Sequence, residues 1–304
     1  MAGGEVVVLA GGTGGAKLAR GMLDVVGDGL VVVANTADDV EVYGAHVSPD
    51  PDLVLYWLAD RIDERGWGLR GDTFEVMEGL RELGEDVWFN LGDRDLAVCV
   101  LRAARLADGA RLTEALDVLR EALGVPGRVL PMSDDQVRTR VRHAGRWWPL
   151  QEYLIRAGAA APVDGVEFEG AAAARPAPEA LEAIAGARAI VIGPSNPVIS
   201  IGPILAVPGL REALTAAPAP VVAVSPLVGG QVLKGPTDAF MQWAGNPLDA
   251  GGVAAGYGGL IDGLVADERT DAVPVLQTDV LLDTPEARRR VADETLAFAD
   301  ALAR

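Results

Sequence analysis

The sequence is poor in three residue types that often carry chemistry. It has one cysteine, Cys99, two histidines, His46 and His143, and two lysines, Lys17 and Lys234. A single cysteine excludes an internal disulfide, and on its apolar segment Cys99 reads as a small core residue. Two histidines far apart in sequence argue against a His-based zinc site. No run of about 18 apolar residues occurs and no basic leader precedes the first strand, so the chain reads as soluble and cytoplasmic. Positive charge is scarce as well. Lys+Arg 26 against Asp+Glu 44 gives a formal net charge of −18 at pH 7. Duplex binding needs a basic face, so no nucleic acid partner is expected. A nucleotide needs only a local patch and is not excluded.

Apolar residues and glycine are plentiful: 50% of the 304 residues are hydrophobic and 37 are Gly. That suits a large core with many turns. No internal repeat, low-complexity tract or linker divides the chain, so one α/β domain over 1–304 is expected.

The first strand and its exit organise the rest: Glu5-Val6-Val7-Val8-Leu9-Ala10-Gly11-Gly12-Thr13-Gly14-Gly15-Ala16-Lys17-Leu18. An apolar run ends in glycines, and Ala16 to Val26 then reads as a helix. Bare N–H groups and a positive helix N-terminus meet there, which suits a phosphate. Lys17 stands in the first helical turn, where it can add a charge. The spacing is neither the dinucleotide fingerprint nor a P-loop, because Lys17 occupies the last glycine position and precedes Leu18. A tight turn without a ligand is the plain alternative. Lys234 also lies beside glycines, Gly229, Gly230 and Gly235, where a compact point charge suits a phosphate.

Leu30 to Ala34 reads as a second buried strand ending in Asn35-Thr36-Ala37-Asp38-Asp39, completing a βαβ unit whose ligands gather at the carboxyl ends of the strands. Ser48-Pro49-Asp50-Pro51-Asp52 then precedes a helix expected from about Leu53 to Arg65. Four aspartates, Asp38, Asp39, Asp50 and Asp52, fall within fifteen residues at one sheet edge. They are helix caps or a divalent-ion site, and an oxygen set without Cys or His points to Mg²⁺.

Val87 to Leu91 reads as a short strand stopping at Gly92-Asp93-Arg94-Asp95, again charges at the functional edge. Arg128 to Leu130 is another strand. From about 132 to 172 the pattern changes to short alternating runs, an inserted β-rich lobe in which Trp147 and Trp148 read as core, with a lid or dimer surface as the alternative. Strands at Ala189–Ile192, Val221–Val224 and Leu260–Val265 resume the doubly wound pattern. Two of them end in Gly193-Pro194-Ser195-Asn196-Pro197 and Ser225-Pro226-Leu227-Val228-Gly229-Gly230, suited to hydrogen bonding a base or sugar. The fold class expected is α/β, a Rossmann-like doubly wound, mostly parallel sheet with that lobe.

These segments, with Leu91-Gly92-Asp93-Arg94-Asp95-Leu96 and Leu130-Pro131-Met132-Ser133-Asp134-Asp135, resemble the 2-phospho-L-lactate transferases of coenzyme F420 biosynthesis. The likeness runs from about Val6 to Glu268 in the family's order. It implies a Rossmann-like homodimer that needs Mg²⁺. It implies a guanosine diphosphate ester of lactate or enolpyruvate as donor, the deazaflavin FO as acceptor, and F420-0 or its dehydro form with GMP as products. Asp52 and Asn90 match positions associated with the deazaflavin, Asn90 standing where a basic residue is frequent. On this likeness Gly12, Thr13, Gly14, Gly15 and Lys17 hold the diphosphate, and Asp38, Asp39 and Asp50 carry Mg²⁺. Asp38, Asp39 and Asp52 are candidates to take the hydroxyl proton, with Arg94 neutralising charge at phosphorus. Asp93 belongs to the substrate set, and Ser195 and Asn196 meet the guanosine. Such a transfer needs positioning and charge neutralisation more than covalent help. A UDP-sugar-binding regulator and a nicotinamide oxidoreductase are the rival readings.

Overall fold

The computed structural model describes residues 4–303; positions 1–3 and 304 lie outside the described residues. Seven strands form one sheet: β1 (Glu5–Ala10), β2 (Leu30–Ala34), β3 (Arg128–Pro131), β4 (Ala187–Ile192), β5 (Val221–Val224), β6 (Gly263–Ala266) and β7 (Val275–Gln277). Their spatial order is β7-β6-β5-β4-β1-β2-β3. Every neighbouring pair is parallel. A parallel sheet is covered on both faces, which is why the central strands read as unbroken apolar runs. Along β1, Val7 and Leu9 enter one core while Val6, Val8 and Ala10 enter the other. Helices Gly12–Val26, Pro49–Leu58, Leu112–Leu123 and Pro285–Leu302 cover the second face. Pro178–Gly186, Leu210–Ala216 and Ala250–Gly256 cover the first. This is the Rossmann-like α/β arrangement expected.

The order reverses between β1 and β4, so a crevice opens outside the carboxyl ends of these two strands. Close packing there depends on glycine. A Cβ on Gly14 would stand 2.0 Å from the Pro194 carbonyl oxygen. The first helix can therefore lie against the loop after β4 only without that side chain.

The lobe between β3 and β4 is a three-stranded antiparallel sheet, Arg138–His143 flanked by Arg146–Pro149 and Gly165–Glu169, with helix Leu150–Ile155. Val141, Leu150 and Tyr153 pack on Ile199 and Phe240 of the main body, and Trp148 lies against this cluster. The Arg146 guanidinium sits 3.9 Å from the Trp148 ring centre.

Local expectations are corrected in four places. The glycines are not a loop before the helix: the helix begins at Gly12. The second helix starts early, at Pro49, and ends at Leu58, because the acids sit inside its first turn. Residues 87–91 form no strand. Val87, Trp88 and Phe89 instead cover the hairpin formed by Val40–Val42 and Ala45–Val47. The sheet gains β7, a three-residue strand too short and too polar at its end to announce itself. Among the described residues no single helix is long and apolar enough to cross a membrane.

Candidate active site at the carboxyl edge of the sheet

A cleft of about 380 Å³ lies over the switch point. The first two turns of the first helix contribute Gly12, Thr13, Gly14 and Lys17 to its lining, and the β4 loop contributes Ser195 and Asn196. Asp38 and Asp50 line the same cleft. Gly11, which precedes the helix, offers no side-chain cap. The Thr13 and Gly14 N–H groups have no acceptor within the helix, because first-turn amides never do.

Asp50 does part of the capping from outside. Its Oδ1 accepts the Gly12 N–H at 2.7 Å, and its Oδ2 accepts from Asn35 Nδ2 at 2.9 Å. The same Asn35 nitrogen donates to Asp38 Oδ1 at 3.0 Å. One amide thus holds two buried carboxylates side by side. Burial, then the Asp50 charge, pushes Asp38 well above the ordinary carboxylate range. Burial also raises Asp50, to about 6, against the lowering effect of the Asn35 and Gly12 hydrogen bonds. Among the described residues neither acid has a cation within ion-pair distance, the Arg138 charge reaching Asp38 only from further off.

The other two acids of the cluster turn elsewhere. Asp39 accepts from Ser48 Oγ at 2.7 Å and lies 3.0 Å from His46 Nε2. Asp52 is ion-paired with Arg102, and both are buried. Arg102 also donates to the His46 carbonyl at 2.8 Å. Of the expected ligand set Asp38, Asp39 and Asp50, the structure brings Asp38 and Asp50 together at the cleft, while Asp39 turns to Ser48 and His46. Asp52 is likewise a structural ion-pair partner in this geometry. Among the described residues, the acidic and thiol groups gathered closely enough to share an ion are Asp52, Asp95 and Cys99. The Arg102 guanidinium beside them already supplies their positive charge.

The Leu91–Asp95 segment stands outside the cleft lining. Asp93 caps a neighbouring helix, accepting from Thr73 Oγ1 at 2.6 Å and from the Glu75 and Val76 N–H groups. Asn90 accepts from Arg81 at 2.8 Å and is exposed, as is Arg94. Ser195 Oγ accepts the Gly11 N–H at 3.3 Å, which ties the two loops of the switch point together. Asn196 Oδ1 caps the turn after it, accepting from the Val198 and Ile199 N–H groups at 2.9 and 3.2 Å.

Lys17 donates to Asp283 Oδ1 at 2.8 Å. Sequence reasoning missed Asp283, Thr237 and Gln151, all of which line the cleft. Asp283 stands beside no glycine loop and at no strand end, so no local signal marked it; Thr237 lies two residues after Gly235, in the loop where only Lys234 drew attention.

The sequence matches the family described as 2-phospho-L-lactate transferase CofD over residues 6–294. The chain belongs to that family. This CofD family member is 42% identical to the phosphoenolpyruvate transferase of Kitasatospora aureofaciens, with 97% of this chain and 98% of the relative covered. It is 40% identical to the 2-phospho-L-lactate transferase of Methanosarcina mazei, covering 88% of each. The 2-phospho-L-lactate transferase of Methanopyrus kandleri is 38% identical, with 98% of both chains covered. A crystal structure of a UPF0052 family member from Bacillus halodurans matches the fold at a TM-score of 0.64. At 19% identity it covers 97% of this chain and 99% of the other, a likeness of architecture alone. The CofD family member is thus a transferase built on a Rossmann-like sheet.

Proposed function

We propose that this protein transfers a phospholactyl or phosphoenolpyruvyl group from a guanosine diphosphate ester to the deazaflavin FO. The products are F420-0, or its dehydro form, and GMP. One observation carries the reading: a single cleft joins the open Thr13 and Gly14 N–H groups to the buried Asp38 and Asp50 pair. N–H groups at a helix start bind a phosphate. Two carboxylates without a cation suit Mg²⁺, which is held by one or two carboxylates together with substrate phosphates. Asp38 and Asp50 would hold the ion, with Asn35 fixing their spacing. Bound there, Mg²⁺ supplies charge neutralisation at the diphosphate and polarises phosphoryl oxygens.

In this reading Gly12 to Gly15 orient the diphosphate, and Ser195 and Asn196 shape the wall toward the nucleoside. A ribityl hydroxyl attacks the phosphorus, its proton passes to a carboxylate oxygen of the Asp38 and Asp50 pair, and GMP leaves. Asp39, Asp52, Asn90 and Asp93 keep the hairpin, the acidic helix and the neighbouring turns in place. The enzyme acts on small molecules in the cytoplasm as a homodimer, with no nucleic acid or membrane partner.

The test is turnover with FO and each donor, read by mass, with Mg²⁺ and with EDTA. GMP and F420-0 or dehydro-F420-0 should form with Mg²⁺ and vanish with EDTA. GDP binding without GMP formation from either donor would overturn the transferase reading in favour of a nucleotide-binding regulator.

A further inference from the structure

The cleft is lined by two cations, Lys17 and Lys234, and three acids, Asp38, Asp50 and Asp283. The two lysines are not equivalent. Lys17 is already neutralised, its ammonium 2.8 Å from Asp283 Oδ1. Recruiting it to a phosphate would leave the Asp283 carboxylate facing the same anion, and like charges at close range oppose binding. Lys234 has no carboxylate within ion-pair distance among the described residues and is exposed.

Its position is built rather than incidental. Lys234 follows the hairpin Leu227–Val228 and Gln231–Val232. The Gly229 N–H donates to Asp267, tying the hairpin to the exit of β6. On the other side, Thr237 Oγ1 accepts from Asn196 Nδ2 at 3.4 Å, tying the loop to the exit of β4. Between these anchors Gly235 takes a φ of +79°, a turn that glycine makes without strain. Asn196, which lines the cleft, also holds the Lys234 loop in place through this bond.

We propose that Lys234 is the cation that binds the diphosphate of the donor, while Lys17 stays paired with Asp283. This rests on the guanosine diphosphate reading of the cleft. An ammonium–phosphate bond is charge-assisted and contributes roughly 1.5–3 kcal/mol, about ten- to a hundredfold in affinity.

The experiment titrates GDP, guanosine and inorganic pyrophosphate into wild type, Lys234→Met, Lys234→Arg and Lys17→Met by calorimetry. GDP should bind Lys234→Met about tenfold or more weakly, Lys234→Arg should recover most of the loss, and guanosine should bind all four alike. Lys17→Met should lose less than Lys234→Met. Equal GDP affinity in wild type and Lys234→Met would overturn the proposal, as would a larger loss in Lys17→Met. A parallel loss of guanosine, or no recovery in Lys234→Arg, would show a purely structural loop and overturn it too. If wild type bound pyrophosphate but no GDP, the guanosine reading would fall. The pyrophosphate affinities of the variants would still decide whether Lys234 is the anion-binding cation.

Discussion

Asp50 accepts the Gly12 N–H at 2.7 Å, so an acid from the second helix caps the helix that leaves the first strand. The phosphate turn and the acidic segment are one unit, joined before any ligand arrives. The unit stores repulsion as well as order, since Asp50 and Asp38 share the single Asn35 amide.

Replacing Asp50 by Asn should separate these two effects. The variant keeps an acceptor for Gly12 and removes one of two adjacent buried charges, so its melting temperature should stay level or rise. Turnover should fall by roughly two orders of magnitude or more, because charge neutralisation at phosphorus is lost. Paired melting and rate measurements check this; a drop in stability with full activity would assign Asp50 to capping alone.

The buried pair of Asp52 and Arg102 predicts the opposite pattern. Asp52→Ala leaves the Arg102 guanidinium buried and uncompensated, which costs about 3–5 kcal/mol. Urea unfolding reads that loss directly. If Asp52 instead holds the deazaflavin, stability should be nearly unchanged and the apparent KM for FO should rise.

Two glycines of the same turn should respond differently to alanine. At Gly14 a Cβ meets the Pro194 carbonyl oxygen at 2.0 Å, so the helix must move and about 3 kcal/mol or more should be lost. At Gly12 the space is open but φ is +63°, so the cost is that of left-handed backbone, about 1–2 kcal/mol. Denaturant midpoints of the two variants rank them; equal midpoints would show that the close approach is not maintained in solution.

Asp95 makes stability depend on pH. Burial, then the neighbouring Asp52 charge, pushes it up from 3.8 to about 7, although it accepts from the Tyr56 hydroxyl at 2.7 Å. The folded protein therefore holds this proton where the unfolded chain has released it. Its contribution to stability is full below about pH 4 and is lost as pH rises toward 7. Asp95→Asn should flatten the decline in melting temperature between pH 5 and about 7.5. An unaltered slope in the variant would place the titration on other groups.

Much of the architecture was open to reading from local pattern. Unbroken apolar runs at Val6–Ala10, Leu30–Ala34 and Val221–Val224 are strands, because a parallel sheet covered on both faces leaves no polar side. The alternation from Val137 to Phe168 marked the antiparallel lobe for the complementary reason, since one of its faces meets solvent. The strand expected at 87–91 failed on partnership. Trp88 and Phe89 found a hydrophobic cluster to cover, and Phe89 N–H donates to the Tyr43 hydroxyl at 3.0 Å rather than to a strand.

The sequence by itself determined that four acids, a glycine-rich turn and two lysines would gather at the carboxyl edge of a parallel sheet. Strand periodicity and chain direction suffice for that. Only the tertiary structure decided which of them face the cleft. Asp50 and Asp52 lie two positions apart on one helix, so their side chains diverge by about 200° around its axis. Packing of that helix against the first one turns Asp50 to Gly12 and leaves Asp52 to Arg102. Asp38 and Asp39 part in the same way, one to Asn35 and the other to Ser48. Lys17 and Asp283 are separated by 266 residues, and no local pattern announces a charge pair closed by the docking of a distant segment. The rotation of a helix about its own axis is set by what it packs against, and that is a property of the assembled core.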